Sequence, residues 1–212
     1  MTLTDIAQRL NQDYRSRCKY SGNLPPAFFI TDQKAVPQPE KIIARLPDNT
    51  AVIFRDYDHP TRETLGHDLV RACHARDLLF LVAGDRALAE ALGADGIHLP
   101  EALTQHATEI RAMHPNWLIT VACHSLSALK QVESLSIDAA LVSPVFPTLS
   151  HPETLSGTVP TLGVTGVEAY VTATSLPLYA LGGITQENAP QLKDTGLAGL
   201  AAIRGFGGEN TA

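Results

Sequence analysis

The sequence predicts an α/β protein, a (β/α)8 TIM barrel with an additional N-terminal helix. Two observations carry this prediction: eight short apolar runs recur along the 212 residues, and segments with helical periodicity lie between most of them. The runs are continuous rather than alternating, which is typical of parallel strands that are buried on both faces. Strand and helix alternate eight times at roughly twenty residues per unit, a pattern that favours a barrel over an open sheet.

The predicted elements follow one another without an internal repeat or a linker. A helix before the main fold is predicted from the helical spacing of Leu3, Ile6, Ala7 and Leu10. The eight strands are predicted at Ala27–Thr31, Ala51–Phe54, Leu78–Ala83, Gly96–Leu99, Trp117–Ala122, Ala139–Ser143, Leu178–Leu181 and Gly199–Ile203. Helical faces between them are predicted from Leu65, Leu69, Ala72 and Cys73, and from Leu126, Leu129 and Val132. We therefore expect a helical extension over residues 1–26 and a single barrel domain over residues 27–212.

The main competing fold is a doubly wound parallel sheet. Its usual Gly-x-Gly-x-x-Gly turn after the first strand is absent, since Phe29-Ile30-Thr31-Asp32-Gln33-Lys34 stands there instead. The barrel is therefore the favoured architecture. In a barrel the functional groups lie at the C-terminal ends of the strands, and the loops after the seventh and eighth strands often bind phosphate.

Composition excludes several classes of function. Lys and Arg number 16 and Asp and Glu number 22, so the formal net charge is −6, and no basic block is interleaved with aromatic residues. Nucleic acid is therefore not an expected partner. No apolar run is long enough to cross a bilayer, and no secretory signal is present, so we expect a cytoplasmic protein without a membrane partner. The three distant cysteines argue against a disulfide framework or a zinc site.

The turns after the last two predicted strands are candidates for binding phosphate. Gly182 and Gly183 lie between the seventh strand and the helix expected after it, and Arg204 and Gly205 end the eighth. Glycine allows the backbone to approach a ligand closely, and the start of a helix offers unpaired N–H groups. The alternative is that these glycines serve the geometry of the turns alone.

Two histidines follow or lie within predicted strands. His124 comes directly after the fifth strand, where an imidazole with a near-neutral pKa suits proton transfer, and Ser125 beside it is a candidate for substrate binding. The alternative is that Ser125 caps the following helix and His124 is its exposed neighbour. His98 lies inside the fourth strand, where a structural role is the favoured interpretation.

Polar side chains at other strand ends complete the candidate site. The long loop after the sixth strand contains Ser143, Thr148, Ser150 and His151, which suit either a ligand-binding lid or a plain surface loop. Arg55 ends the second strand. Asp85 follows the third, where it either begins a helix or binds a metal, and the helix role is favoured.

The order and spacing of several segments resemble the thiamine phosphate synthase/TenI superfamily from about Phe28 to Phe206. The matching segments are Phe29-Ile30-Thr31-Asp32, Gly93-Ala94-Asp95-Gly96-Ile97-His98-Leu99, Cys123-His124-Ser125-Leu126, Pro144-Val145-Phe146-Pro147-Thr148 and Leu181-Gly182-Gly183-Ile184. The resemblance implies a barrel, a phosphorylated thiazole as small-molecule ligand and a place in thiamine biosynthesis or salvage. Family members often associate, which leaves a homo-oligomer open.

The resemblance implies two alternative reactions. Synthases of this family join a pyrimidine pyrophosphate to thiazole phosphate, and they need Mg²⁺ to neutralise the departing anion. The usual strand-two segment Val-Gln-Leu-Arg-Glu-Lys is Val52-Ile53-Phe54-Arg55-Asp56-Tyr57 here, the Asn-Asp after strand three is Gly84-Asp85, and Gly-Gln-Glu-Asp is Pro100-Glu101-Ala102-Leu103. The lid segment Thr-x-Thr-Lys is Thr148-Leu149-Ser150-His151. All four departures concern positions on the side of the site that, in these synthases, holds the pyrimidine pyrophosphate.

The TenI-like thiazole tautomerases use a histidine at the place of His124 to move a proton on a thiazole carboxylate phosphate, without a cofactor. The leading hypothesis is therefore a TenI-like protein that binds a thiazole-type phosphate, with His124 as acid/base. A divergent synthase that uses Asp85, Arg55 and His151 with Mg²⁺ is the runner-up. A non-catalytic, regulatory phosphate-binding barrel is the third hypothesis.

Overall fold

A computed structural model describes residues 1–18 and 24–206 and confirms the predicted barrel. Eight parallel strands close in sequence order, β1 pairing with both β2 and β8. The strands are β1 Ala27–Ile30, β2 Thr50–Phe54, β3 Leu79–Ala83, β4 Gly96–Leu99, β5 Leu118–Cys123, β6 Ala139–Val142, β7 Leu178–Ala180 and β8 Gly199–Ala202. Each predicted apolar run therefore coincides with a strand, and no bound differs by more than one residue.

Helices surround the strands on the outside. They are α1 Leu3–Cys18, α2 Pro39–Ile43, α3 Arg62–His74, α4 Arg86–Leu92, α5 Ala107–Met113, α6 Leu126–Val132, α7 Pro152–Leu155 and α8 Gly163–Ala173. Two 3-10 helices span Glu101–His106 and Ala189–Leu192. The helix expected directly after the seventh strand is therefore only a single 3-10 turn, which begins five residues beyond Ile184. No helix within the described ranges has the length and apolar character needed to span a bilayer.

Side chains alternate between the inside of the barrel and the helix layer. Ile97 and Leu99 of β4 pack in the outer layer with Ile119 and Val121 of β5. The inner positions form a separate cluster in which the rings of Phe28 and Tyr179 meet edge-on, with centroids 4.8 Å apart. Because strands buried on both faces need apolar residues at every position, their apolar runs are continuous.

The predicted helical faces are confirmed with one exception. On α3, Leu69 and Cys73 are buried, and on α6 Leu129 and Val132 are buried. Leu126 is exposed instead; it is the first residue of α6, directly after the N-cap Ser125.

The N-terminal helix α1 packs along the seam between β8 and β1. Its buried face includes Leu3, Ile6 and Leu10, which belong to the same apolar cluster as the outer layer of the barrel. The side-chain amide of Asn11 donates a hydrogen bond of 2.9 Å to the carbonyl oxygen of Ala198. Helix α1 thus covers the outer face of the barrel at the last strand, β8. The single domain predicted over residues 27–212 includes residues 207–212, which lie outside the described residues.

Candidate active site

The C-terminal ends of the strands surround a cavity of about 250 Å³. Predicted site residues from four separate parts of the chain line it: Arg55, Ser143, Thr148, Ser150, His151, Gly182, Gly183 and Arg204. Apolar side chains that the sequence did not single out complete the lining, among them Leu149, Leu155 and Ile203. The fold therefore brings together at one place groups that are far apart in the sequence.

The two-glycine turn after β7 forms one wall of the cavity. Gly182 and Gly183 have φ angles of 96° and 65°, which an L side chain rarely adopts. A Cβ atom on Gly183 would lie 2.4 Å from the carbonyl oxygen of Pro147, so only glycine fits there. The N–H groups of both glycines donate to no acceptor within the described part of the chain.

A capping pair after the turn fixes its orientation. The side-chain amide of Asn188 donates to the carbonyl oxygen of Gly183 at 2.7 Å, and the amide of Thr185 donates to Asn188 Oδ1 at 2.9 Å. The carbonyl oxygen of Gly183 is thereby held, while the glycine amides stay free for an anion. Since no α-helix begins here, an anion would be bound by these amides without the helix dipole that the sequence led us to expect.

Arg204 lies on the loop after β8 and lines the same cavity as the glycine turn. It forms no ion pair or hydrogen bond with any residue that the structure describes. Gly205 does not line the cavity. A Cβ atom on Gly205 would lie 2.5 Å from Cδ2 of Leu3, so the small size of this residue serves the packing of α1 against the barrel.

The loop after β6 folds over the cavity and is organised by a buried threonine. Thr154 accepts a hydrogen bond from the amide of Thr148 at 2.8 Å and donates one to the carbonyl oxygen of His151 at 2.6 Å. Nδ1 of His151 lies 3.2 Å from the carboxylate of Glu153. Leu149 at the tip of the loop is 66% exposed above the cavity. The middle of the loop is therefore held by hydrogen bonds, and the exposed apolar side chain of Leu149 lines the cavity beside it.

His124 stands at the end of β5 beside the cavity. Its Nδ1 lies 3.1 Å from Oγ and 3.3 Å from the carbonyl oxygen of Ser143, which itself lines the cavity. The backbone amide of His124 donates to the carboxylate of Glu101 at 2.8 Å. Ser125 is the N-cap of α6, since its hydroxyl accepts from the amide of Ala128 at 3.0 Å. The structure thus gives Ser125 the capping role and leaves the His124 ring exposed.

Arg55 separates this cavity from a second one of about 450 Å³. Its guanidinium forms an ion pair with Asp32, and its amide donates to the hydroxyl of Thr31 at 3.0 Å. Three carboxylates line the second cavity, those of Asp32, Asp56 and Asp58, against the two cations of Arg55 and Lys34. This side of the barrel mouth is therefore poor in positive charge.

The residues around Asp85 do not fit a magnesium ion. One carboxylate oxygen caps α4 by accepting from the amide of Leu88 at 3.0 Å, and the other lies 3.3 Å from Nη1 of Arg62. Arg62 is largely buried and also donates to the carbonyl oxygen of Ala83. A guanidinium thus lies where a divalent cation would bind. No three His, Cys, Asp or Glu side chains converge as metal ligands within residues 1–18 and 24–206.

His98 is buried inside the barrel, and its Nδ1 contacts the hydroxyl of Thr120 at 2.9 Å. Burial, together with the positive charge of Arg55 and then of His124, lowers the pKa of His98 to about 4. Its ring is therefore neutral at physiological pH. Arg62 and Asn188 were not among the residues predicted for the site. The Thr185-x-x-Asn188 spacing, which resembles a capping box, is the pattern that indicates Asn188.

Fold and cavity define the class of the protein: a (β/α)8 barrel with a cavity at the C-terminal ends of its strands, where active sites of this fold lie. A family profile described as thiamine monophosphate synthase matches residues 27–206. The chain belongs to this family of thiamine-biosynthesis barrels, as the sequence resemblance predicted.

Individual relatives agree with this assignment. The chain is 30% identical to a thiamine-phosphate synthase of Levilactobacillus brevis, over 84% of this chain and 85% of that protein. It is 31% identical to a putative thiamine-phosphate synthase 2 of Aquifex aeolicus, over 86% of this chain and 98% of that protein. The solved structure of a thiamine phosphate pyrophosphorylase from Pyrococcus furiosus superposes with a TM-score of 0.70 at 27% identity, covering 88% and 89% of the two chains.

Proposed function

We propose that this chain binds a thiazole-type phosphate and catalyses its proton-shift tautomerisation, with His124 as the acid/base. The observation that carries the proposal is the position of His124, whose ring contacts Ser143 at the edge of a cavity lined by Gly182, Gly183 and Arg204. Free amides and an unpaired guanidinium suit a phosphate dianion. A proton shift needs the phosphate to be held in place and one side chain that can act as general acid/base.

The contact with Ser143 supports a specific role for each nitrogen of His124. A carbonyl oxygen only accepts hydrogen bonds, so the contact of Nδ1 with the carbonyl of Ser143 favours a proton on Nδ1. Nε2 then carries the lone pair. It would remove a proton from one atom of the thiazole ring and return it to another, so that the reaction consumes no co-reactant.

The opposite side of the mouth supports a proton shift over pyrophosphate departure. Loss of pyrophosphate develops negative charge that needs cations nearby. Here the ion pair with Asp32 neutralises Arg55, three carboxylates line the second cavity, and Arg62 is held by Asp85. None of these features hinders a reaction that leaves the phosphate in place.

The test is turnover of the thiazole carboxylate phosphate tautomer by the wild-type protein and by His124→Ala. We expect the substitution to lower kcat by about 10² or more, the usual contribution of a general acid/base, with KM changed little because the phosphate grip is intact. His67→Gln, an exposed histidine on α3, is the matched control and should keep the wild-type rate. Equal rates for wild type and His124→Ala would contradict the catalytic role.

The second candidate is condensation of a pyrimidine pyrophosphate with thiazole phosphate. It is favoured by the names of the relatives and by the presence of Arg55 and His151 on the cavity. Its test is formation of thiamine phosphate with Mg²⁺ at high enzyme concentration. Binding of thiazole phosphate without turnover in either assay would instead support the non-catalytic barrel.

A further inference from the structure

The barrel interior contains a buried histidine that the proposed proton shift does not use. His98 of β4 is 7% exposed, and its side chain points away from the outer layer to which its neighbours Ile97 and Leu99 belong. Its Nδ1 lies 2.9 Å from Oγ1 of Thr120, which is its register partner on β5. Nε2 has no hydrogen-bond partner among the described residues, yet it is not among the polar atoms that are sealed from solvent.

The contact with Thr120 determines which nitrogen of His98 carries the proton. Thr120 is fully buried, and within the described chain its hydroxyl contacts one acceptor, Nδ1 of His98. A buried hydroxyl without an acceptor is unfavourable, so the hydroxyl donates to Nδ1. Nδ1 therefore bears no proton, and the neutral ring carries its proton on Nε2.

We propose that Thr120 is a positioning residue that holds His98 as a fixed N–H donor, and that Nε2 of His98 binds an anionic oxygen of the ligand other than the phosphate. Protonation of the ring would place a second hydrogen between Nδ1 and the Thr120 hydroxyl, so the contact favours the neutral ring. A neutral ring keeps its donor on Nε2 throughout the physiological range.

The chemistry of the donor indicates the group that it binds. His98 is the second-last residue of β4, so its inward side chain lies at the C-terminal end of the barrel, where Arg55 follows β2 and His124 follows β5. A carboxylate on the thiazole ring would accept from Nε2 while the phosphate occupies the glycine turn. This ligand assignment rests on the proposed function, whereas the proton position on His98 does not.

The first experiment measures that proton position in the ligand-free protein. Long-range ¹⁵N–¹H correlation spectra of the imidazole rings distinguish the two neutral tautomers, and the His98→Gln spectrum assigns the signal. We expect the Nε2–H form in wild type. In Thr120→Val we expect a shifted Nδ1 resonance, because Nδ1 loses its hydrogen-bond donor. A wild-type Nδ1–H form, or an unchanged Nδ1 resonance in Thr120→Val, would overturn the role of Thr120.

The matched control is Thr50→Val. Thr50 is a buried threonine of β2 whose hydroxyl has no hydrogen-bond partner among the described residues, so its removal tests the loss of a barrel hydroxyl as such. The His98 resonances should stay at their wild-type positions in this variant. Movement as large as that in Thr120→Val would show a general packing effect and overturn the specific contact.

The second experiment compares the affinity for thiazole phosphate with and without a ring carboxylate. We expect wild type to prefer the carboxylated ligand by about tenfold, the usual scale of a hydrogen bond to a charged group. His98→Leu should lose this preference and still bind thiazole phosphate, whereas His98→Gln should keep part of it through its side-chain N–H. An unchanged preference in His98→Leu would refute the ligand assignment. Failure of both ligands to bind wild type would instead refute the proposed function and the ligand assignment with it, leaving the tautomer result to decide the role of Thr120.

Discussion

Oγ of Ser143 lies 3.1 Å from Nδ1 of His124, which joins the residue that follows β6 to the residue that follows β5. Ser143 is 6% exposed and lines the cavity, so the contact fixes the exposed imidazole at the cavity edge. The orientation of the proposed acid/base thus depends on a neighbouring strand.

Ser143→Ala should lower kcat for the proton shift by about fivefold. The variant keeps the carbonyl contact with His124 and loses only the hydroxyl, and one hydrogen bond contributes about 1 kcal/mol. Steady-state kinetics would measure the effect. A rise in KM at constant kcat would show instead that the hydroxyl binds substrate and does not orient His124.

Gly183→Ala should destabilise the fold by clearly more than Gly93→Ala. Both glycines have φ near 65°, so each alanine carries the same backbone strain of about 1–2 kcal/mol. A Cβ on Gly183 would also lie 2.4 Å from a backbone oxygen of Pro147, whereas nothing lies within 4 Å of one on Gly93. Urea unfolding should show at least about 1 kcal/mol between the variants. Equal losses would contradict the close packing of the turn against the lid loop.

Most of the fold could be predicted from the sequence because its signals are local. Each of the eight strands coincides with a continuous apolar run, and Asp85 and Ser125 precede helices as typical N-cap residues. The segment after β7 was predicted less well. Its glycines and its Thr185-x-x-Asn188 spacing occur equally at helix starts and in tight turns, and the structure uses them for a turn.

The groups of the candidate site were easier to predict than their contacts. Arg55, Ser143 and Gly183 share a cavity because strand ends meet at one face of a barrel, which topology alone implies. The pairing of Arg62 with Asp85 and the contact of His98 with Thr120 join residues more than twenty positions apart. Such contacts depend on the register of neighbouring strands and on side-chain orientation, and no spacing in the sequence encodes them.

Magnesium should not raise the melting temperature of the wild-type protein. The carboxylate of Asp85 is already used by the cap of α4 and by Arg62, so a divalent cation would have to displace a guanidinium. Thermal unfolding with Mg²⁺ and with a chelator would measure the effect. Asp85→Asn, which keeps a good N-cap side chain, is the matched variant. A rise in melting temperature in wild type that Asp85→Asn abolishes would show that Asp85 does bind the metal.

Stability should fall between about pH 6.5 and pH 4 because of His98. The unfolded chain takes up a proton near the ordinary histidine pKa, whereas the folded protein, in which the pKa of His98 is about 4, does not. The unfolded state thus binds more protons in this range, so stability decreases as the pH falls, by up to about 3 kcal/mol. Above the ordinary histidine pKa both states are neutral at this position, and His98 contributes no pH dependence there.

The free energy of unfolding in urea, measured at several pH values, checks this prediction against His98→Gln. Glutamine does not titrate, so the difference in stability between wild type and variant should change with pH only below about pH 6.5. All other residues are the same in both proteins, so their contributions cancel in this comparison. If the difference in stability between wild type and His98→Gln stayed constant between pH 7 and pH 4.5, His98 would take up its proton in the folded protein as it does in the unfolded chain. The neutral ring with its proton on Nε2, which the contact with Thr120 implies, would then be wrong as well.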